Sequence, residues 1–165
     1  MTQADARNAA QPSAFGAILR IGLIAGTLDI GENLIFNSFR GVTPSMVFHY
    51  IAAGLIGAQA SARLGMAAFA LGVCIHYAIA LTWTAIYFLA SYKIVALIRW
   101  PVVCGILYGA LVYIIMNFVV LPLTRVPHSR APMTLASRVS GVLALLFCIG
   151  LTVALLTRRE RRASL

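Results

Sequence analysis

Acidic side chains are scarce in this sequence: Asp and Glu together number 4, against 13 Lys and Arg, and charged residues make up only 10% of the chain. A soluble domain carries about 25% charged residues. With 61% hydrophobic residues among 165, this chain has too few polar side chains to cover its surface in water. The composition therefore excludes an ordinary soluble domain and predicts a single domain, 1–165, whose solvent is lipid.

Motifs for common catalytic and cofactor sites are also missing, since no HExxH, GxSxG, P-loop or GxGxxG pattern occurs. The three cysteines, Cys74, Cys104 and Cys148, lie in separate apolar runs without CxxC spacing. They are interpreted as small apolar fillers rather than metal or redox groups. His76 is the one histidine inside a run long enough to span the membrane, so haem ligation by two histidines lacks a second ligand among the spans. We predict no cofactor, no metal and no catalytic residue, and an enzyme is the weakest of three functional hypotheses.

The basic residues stand singly at the ends of apolar runs, apart from the cluster RRERR at 158–162. This distribution is typical of membrane topology. No basic stripe with interleaved aromatics occurs, so nucleic acid is not predicted as a partner. With a cytoplasmic N-terminus, eight basic residues lie inside and five outside, which predicts that both termini are cytoplasmic. The inner set is Arg7, Arg20, Lys93, Arg99, Arg158, Arg159, Arg161 and Arg162, and the outer set is Arg40, Arg63, Arg125, Arg130 and Arg138.

Four apolar runs are long enough to cross a bilayer, which needs about 20 residues. They cover 14–39, 64–91, 100–123 and 135–157, and the first is too long for a signal-peptide core. Helices are predicted because strands outside a closed barrel leave their backbone unpaired in lipid. The apolar stretch 44–57 starts at Thr43-Pro44 and is too short to span, which favours an interfacial or re-entrant helix. The predicted fold is an all-α membrane protein with four transmembrane helices in an up-and-down bundle plus this short helix.

Two carboxylates, Asp29 and Glu32, interrupt the first apolar run, Asp29 near mid-depth. An aspartate at the bilayer centre costs about 2.5–3.5 kcal/mol on insertion scales. A helical wheel predicts that Asp29 points toward other helices, on a small and polar face opposite a lipid-like one. The polar face carries Gly22, Ala25, Gly26, Asp29, Glu32, Asn33, Asn37 and Arg40, and the opposite side Leu23, Ile24, Ile30, Leu34 and Ile35.

The other runs repeat this combination of small and polar residues, and small residues let membrane helices approach closely. We predict helix packing at Gly22, Gly26, Gly72, Gly105 and Gly109. The second run carries a stripe of Gly65, Phe69, Gly72, His76, Ala80, Trp83 and Tyr87, and the fourth offers Ser137, Gly141, Ala144, Cys148 and Thr152. In the third run, Tyr113 and Asn117 follow the glycines. The depths of the polar side chains in the membrane predict that they form one polar pocket. Its residues are Asp29, Glu32, Asn33, His76, Tyr113 and Asn117.

Two arrangements of the central pair are open. In the first, Asp29 and His76 meet directly or through one water and share a proton. In the second, Asp29 binds the hydroxyl of Ser140 or Thr152 and His76 binds Tyr113. Asn33 and Asn117 are interpreted as interhelical hydrogen-bonding groups, and Glu32 as a partner of Arg40 or Arg63.

The segments GLIAGTLDI (22–30), IHYAIALTWTAIYFLAS (75–91) and GALVYIIMNFVVLPL (109–123) resemble a family of small, uncharacterised bacterial inner-membrane proteins of the YagU-like type. The likeness covers 21–123 and implies a bacterial multi-span inner-membrane protein, but carries over no catalytic residue. The leading hypothesis is a protonatable intramembrane pocket with a transport-like or pH-responsive role. The competing hypothesis is a structural or accessory subunit of a larger membrane assembly, and self-association or other membrane subunits are expected partners besides lipid.

Overall fold

A computed structural model describes residues 13–126 and 134–163. Within these residues the chain forms helices and no strand. The helices are α1 (Ala14–Ser38), α2 (Pro44–Ile56), α3 (Ala58–Leu64), α4 (Met66–Ala90), α5 (Ala96–Arg99), α6 (Pro101–Leu123) and α7 (Leu135–Ala163). Four of them, α1, α4, α6 and α7, are long and apolar enough to cross a membrane, and α2 is a shorter apolar helix. The predicted fold class is therefore confirmed.

The predicted spans agree with the helices to within two residues, except at the end of α7, which continues from the predicted 157 to Ala163. This extension carries the arginine cluster. Two contacts connect it to the rest of the bundle: Glu160 accepts a hydrogen bond from Arg20 of α1 at 2.7 Å, and the Arg161 guanidinium lies 3.7 Å from the Tyr92 ring centre. The short helices α3 and α5 were not predicted, and part of the 124–134 connection lies outside the described residues.

Local chemistry accounts for where several helices begin. The hydroxyl of Ser13 accepts from Gly16 N at 3.1 Å at the start of α1, and that of Thr134 accepts from Ser137 N at 3.2 Å at the start of α7. Such N-caps satisfy amides that have no partner inside the helix. Thr43 caps α2 in the same way, ahead of Pro44 in its first turn, as the sequence predicts.

Helix α4 packs against α1 and α2 at glycines, where the absence of a side chain lets the helices approach closely. A Cβ at Gly22 would lie 2.6 Å from Leu81 Cδ2, and one at Gly26 would lie 2.9 Å from Ala80 Cβ. On the other side of α4, Gly72 is in direct contact with the carbonyl of Phe48 in α2. The chain turns between α2 and α3 at Gly57, whose φ of 85° suits glycine. These contacts make α1, α2 and α4 one packed group.

Helices α6 and α7 form the second group, through backbone contact at three glycines. Gly150 meets the Gly105 carbonyl, and a Cβ on Gly150 would lie 2.8 Å from Gly109 Cα. A Cβ on Gly105 would lie 2.9 Å from Ala154 Cβ. The two groups join through α1 against α7, and through Tyr108 of α6, whose hydroxyl donates to the Trp83 carbonyl of α4 at 2.6 Å.

The bundle has two unlike halves. The terminal half contains the start of α1, the end of α4, the start of α6 and the end of α7. It holds the close-packed apolar core, which includes Ala17, Ile21, Tyr87 and Val153. The other half, called the pocket half below, is hollow. One prediction from the wheel is wrong here: Ile30, placed on the lipid side, is only 7% exposed, because it follows Gly26 by about one turn and shares its face.

Candidate functional site

The pocket half encloses a cavity of about 540 Å³ between α1, α4, α6 and α7, with Ile51 of α2 at its side. It runs from Arg40 and Ser137, near the helix ends, to Ile149 deeper in the bundle. The structure brings the six residues predicted for a polar pocket to this one cavity: Asp29, Glu32, Asn33, His76, Tyr113 and Asn117 all line it. Three spans therefore contribute the predicted polar groups.

Asp29 and His76 share the cavity without a direct bond. His76 Nε2 lies 2.9 Å from the Gly26 carbonyl, and since a carbonyl only accepts, this nitrogen donates. Across residues 13–126 and 134–163, no ion pair links the Asp29 carboxylate to His76, and Asp29 accepts no hydrogen bond. His76, Glu32 and Cys148 are titratable groups close to Asp29. A direct contact between Asp29 and His76 is therefore not seen, and their meeting through one water stays a prediction.

The second arrangement is not seen either. Ser140 donates its hydroxyl hydrogen to Glu32 Oε1 at 2.5 Å rather than to Asp29. The hydroxyl of Thr152 donates to the Phe147 carbonyl of its own helix at 3.0 Å. Both hydroxyls proposed for Asp29 are thus engaged elsewhere, and the carboxylate faces the cavity.

Glu32 and Arg40 are each held by a serine of α7. Besides the Ser140 bond to Glu32, Arg40 donates to Ser137 Oγ at 2.6 Å and its guanidinium lies 5.7 Å from the Phe36 ring centre. In the described part of the chain Glu32 forms no ion pair with Arg40 or Arg63, so that interpretation is wrong. The two serine bonds instead tie α1 to α7 at the mouth of the cavity.

The asparagines of the pocket hydrogen-bond within their own helices. Asn37 donates to the Asn33 carbonyl at 2.9 Å and to Asn33 Oδ1 at 3.1 Å. Asn117 donates to the Tyr113 carbonyl at 2.9 Å. The predicted interhelical bonds are thus replaced by local ones.

The lining of α7 differs from the predicted face because the helix widens. Residues Leu145–Leu151 are π-helical, and each π-turn takes about one residue more than an α-turn. The face therefore passes from Ala144 to Leu145 and Ile149, and the predicted Cys148 and Thr152 do not line the cavity. Sequence periodicity assumes a constant turn of 3.6 residues. The sequence therefore contained no signal from which this change of face could be predicted.

Helix α6 has a similar segment beside the cavity. Residues Met116–Val120 are π-helical and end two residues before Pro122. Proline has no N–H to donate to the fourth residue before it, and a wider turn accommodates that missing bond. Met116 and Asn117 lie in this segment and line the cavity, so Pro122 was the sequence signal for an irregular wall.

No protein-family model, curated protein or solved structure matches this chain. Within the described residues no three His, Cys, Asp or Glu side chains come together as metal ligands would. The four apolar helices and the cavity define the class: a multi-pass membrane protein with a cavity between its helices that carries polar side chains.

Proposed function

We propose that this chain binds a small solute or proton from one side of the membrane in the cavity at Asp29 and His76, in a transport-like or proton-responsive role. The observation that carries the proposal is the continuity of the cavity. Its lining extends from Arg40 and Ser137 at the helix ends to Asp29, His76 and Ile149 inside the bundle. Ionisable groups within membrane spans are expensive and usually serve a function.

The competing role is a structural or accessory subunit of a membrane assembly, and the cavity argues against it as the sole role. A subunit that only fills space would be stabilised by closing the pocket half as tightly as the terminal half. The Asp29 carboxylate, which accepts no hydrogen bond from the described residues, adds no hydrogen bond between helices. Self-association remains part of the proposal, because four helices seldom form a transport pathway alone.

The experiment is a thiol-accessibility assay in sealed vesicles. All three native cysteines are replaced by alanine, and Gly141→Cys is introduced. Gly141 lines the cavity, and a side chain there has room, since its nearest neighbour is Tyr113 at 3.8 Å. The matched control is Leu143→Cys, on the same helix at a 47% exposed, lipid-facing position.

A charged, membrane-impermeant methanethiosulfonate is expected to label Gly141→Cys from one side only and to leave Leu143→Cys unlabelled. Labelling of neither cysteine from either side would overturn the proposed uptake of solute into the cavity. Equal labelling of both would show that the reagent reaches thiols through the lipid, and the cavity would then carry no evidence for uptake.

The orientation proposed for the chain is that both termini are cytoplasmic, in a bacterial inner membrane. Support comes from the bias of eight inner against five outer basic residues and from the YagU-like resemblance. A reporter fused after Leu165 should read cytoplasmic, and one inserted near Ser129 should read periplasmic. The cavity, whose mouth lies at the ends of α1 and α7 near Arg40 and Ser137, would then open to the periplasm. The opposite pair of readings would reverse that assignment.

A further inference from the structure

We infer that the solute accepted by this cavity is a small organic cation, a protonated amine on an apolar body, with Asp29 as the group that binds the ammonium. This inference rests on the proposed function, because it names the ligand class of the same cavity. It draws on three independent features: the charge balance of the lining, the hydrogen bonds already made there, and the nature of the walls.

The charge balance favours a cation. The lining carries two carboxylates, Asp29 and Glu32, and one guanidinium, Arg40. With both carboxylates ionised, these three groups leave one net negative charge in surroundings of low dielectric constant. A monovalent cation brings that charge to zero, whereas an anion doubles it, and charges of like sign are far more costly there than in water.

The hydrogen bonds single out Asp29. Glu32 is engaged by Ser140 and Arg40 by Ser137, while His76 is engaged by the Gly26 carbonyl. Of the charged groups in the described lining, Asp29 alone lacks a hydrogen bond from the protein. An ammonium group supplies three N–H donors and a charge of the right sign, and such charge-assisted bonds are about twice as strong as neutral ones.

The walls fit an apolar body. Phe36, Trp83 and Tyr113 present rings to the cavity, and Ile79, Met116 and Ile149 supply aliphatic surface. Aromatic faces attract cations within about 6 Å. The volume of about 540 Å³ lies inside the range of about 300–1,000 Å³ typical of small-molecule pockets. An inorganic cation would use the carboxylate and leave these walls without contacts.

Arg40 stands at the mouth, where it would repel a cation, but its position limits that effect. It follows Asp29 by eleven residues, or about 16 Å along the chain at the helical rise of 1.5 Å per residue. Glu32 follows Asp29 by only three residues, and the Coulomb energy between charges falls as their distance grows. Ser137 and the Phe36 ring hold its guanidinium there. A ligand bound at Asp29 therefore experiences the carboxylates more strongly than Arg40.

The test uses Trp83 as the reporter, in full-length protein in detergent with Trp100→Phe as the background, because Trp100 is 60% exposed at the other end of the bundle. Three probes of nearly equal shape are titrated at pH 7: benzylammonium, benzyl alcohol and benzoate. We expect benzylammonium to bind at least about tenfold more tightly than the other two, a difference of about 1.4 kcal/mol. The neutral alcohol measures simple partitioning into detergent or apolar surface.

Variants assign the preference to Asp29. Asp29→Asn should abolish the difference between benzylammonium and benzyl alcohol, whereas Asp29→Glu, which keeps the charge, should retain most of it. Glu160→Gln removes an equal charge outside the cavity and should leave the affinities unchanged. If Asp29→Asn does not fold, the comparison of the three probes on the parent and on Asp29→Glu still decides the matter.

Equal affinities for the amine and the alcohol, or an unchanged preference in Asp29→Asn, would overturn the inference. The thiol assay separates the two proposals. Labelling of Gly141→Cys without a preference for the amine removes only the ligand class, whereas absence of labelling removes the proposed function itself.

Discussion

The terminal half and the pocket half of the bundle are built from the same four helices, yet they differ in how the helices meet. In the terminal half, apolar residues such as Ile21, Tyr87 and Val153 are at most 1% exposed and form one core. In the pocket half, the helices separate around a cavity of about 540 Å³, and serine–carboxylate and serine–arginine bonds replace packing.

The difference teaches how a small membrane protein can keep a cavity. Lipid gives no hydrophobic drive for helices to associate, so close packing and interhelical hydrogen bonds must hold them. Here the backbone contacts at Gly105, Gly109 and Gly150 hold α6 to α7, and close contacts with Leu81, Ala80 and Tyr77 at Gly22 and Gly26 hold α1 to α4. With stability concentrated in these contacts, the pocket half can expose Asp29 to a hollow space.

The largest effect is expected at Gly150. A Cβ there would overlap the Gly105 carbonyl and lie 2.8 Å from Gly109 Cα, and both are backbone atoms that cannot rotate away. Gly150→Ala should therefore destabilise the fold by about 3 kcal/mol or more, at the upper end of overpacking effects. Thermal unfolding in detergent measures it, with Gly141→Ala on the same helix as the control. Equal stability of the two variants would contradict the α6–α7 interface.

A smaller loss is expected where α1 meets α4. Gly26→Leu should lower the amount of folded protein in detergent, at a cost of about 2 kcal/mol, because the side chain must displace Ala80 and Tyr77. The matched control is Gly31→Leu, one and a half turns further along α1, where a Cβ meets nothing within 4 Å. If both variants fold equally well, the Gly26 face is turned to lipid and the two-group architecture fails.

Asp29→Asn should act in the opposite direction and stabilise the protein by about 1 kcal/mol. The substitution keeps the shape of the side chain and removes a charge that costs about 2.5–3.5 kcal/mol near the bilayer centre. Functional sites commonly retain such destabilising groups. The unfolding midpoint in detergent is the measurement. A clear loss of stability would show that Asp29 is part of the packing, and the contrast between the two halves would weaken.

The smallest effect is expected for Ser140→Ala, which removes the hydroxyl that donates to Glu32 at 2.5 Å. Interhelical hydrogen bonds in membrane bundles contribute about 0.6 kcal/mol on average, so a loss of that order should appear in the unfolding midpoint. Thr82→Ala serves as the control, because that hydroxyl donates to the Ala78 carbonyl of its own helix. A loss for Ser140→Ala no larger than the control's would mean that this bond does not tie α1 to α7.

The spans, the start of α2 and the polar face of α1 were predictable from the sequence, because each of them depends on residues that are close together along the chain. The length of an apolar run decides whether a helix can span the bilayer, and a hydroxyl before the first turn decides where a helix such as α2 begins. The face that carries Gly26, Asp29 and Glu32 follows from a regular helical period. For the same reason the six polar residues at one depth could be assigned to one pocket before any packing was known.

Only the tertiary structure decided which partner each polar group takes and where the period breaks. Glu32 binds Ser140 and Arg40 binds Ser137, since α7 lies beside α1, and no local pattern specifies which helix is the neighbour. The π-helical turn of Leu145–Leu151 lies where Gly150 fits against Gly105 and Gly109, and it brings Ile149 rather than Cys148 to the cavity. Such contacts between distant residues set the wall of the pocket, and sequence periodicity along one helix does not contain them.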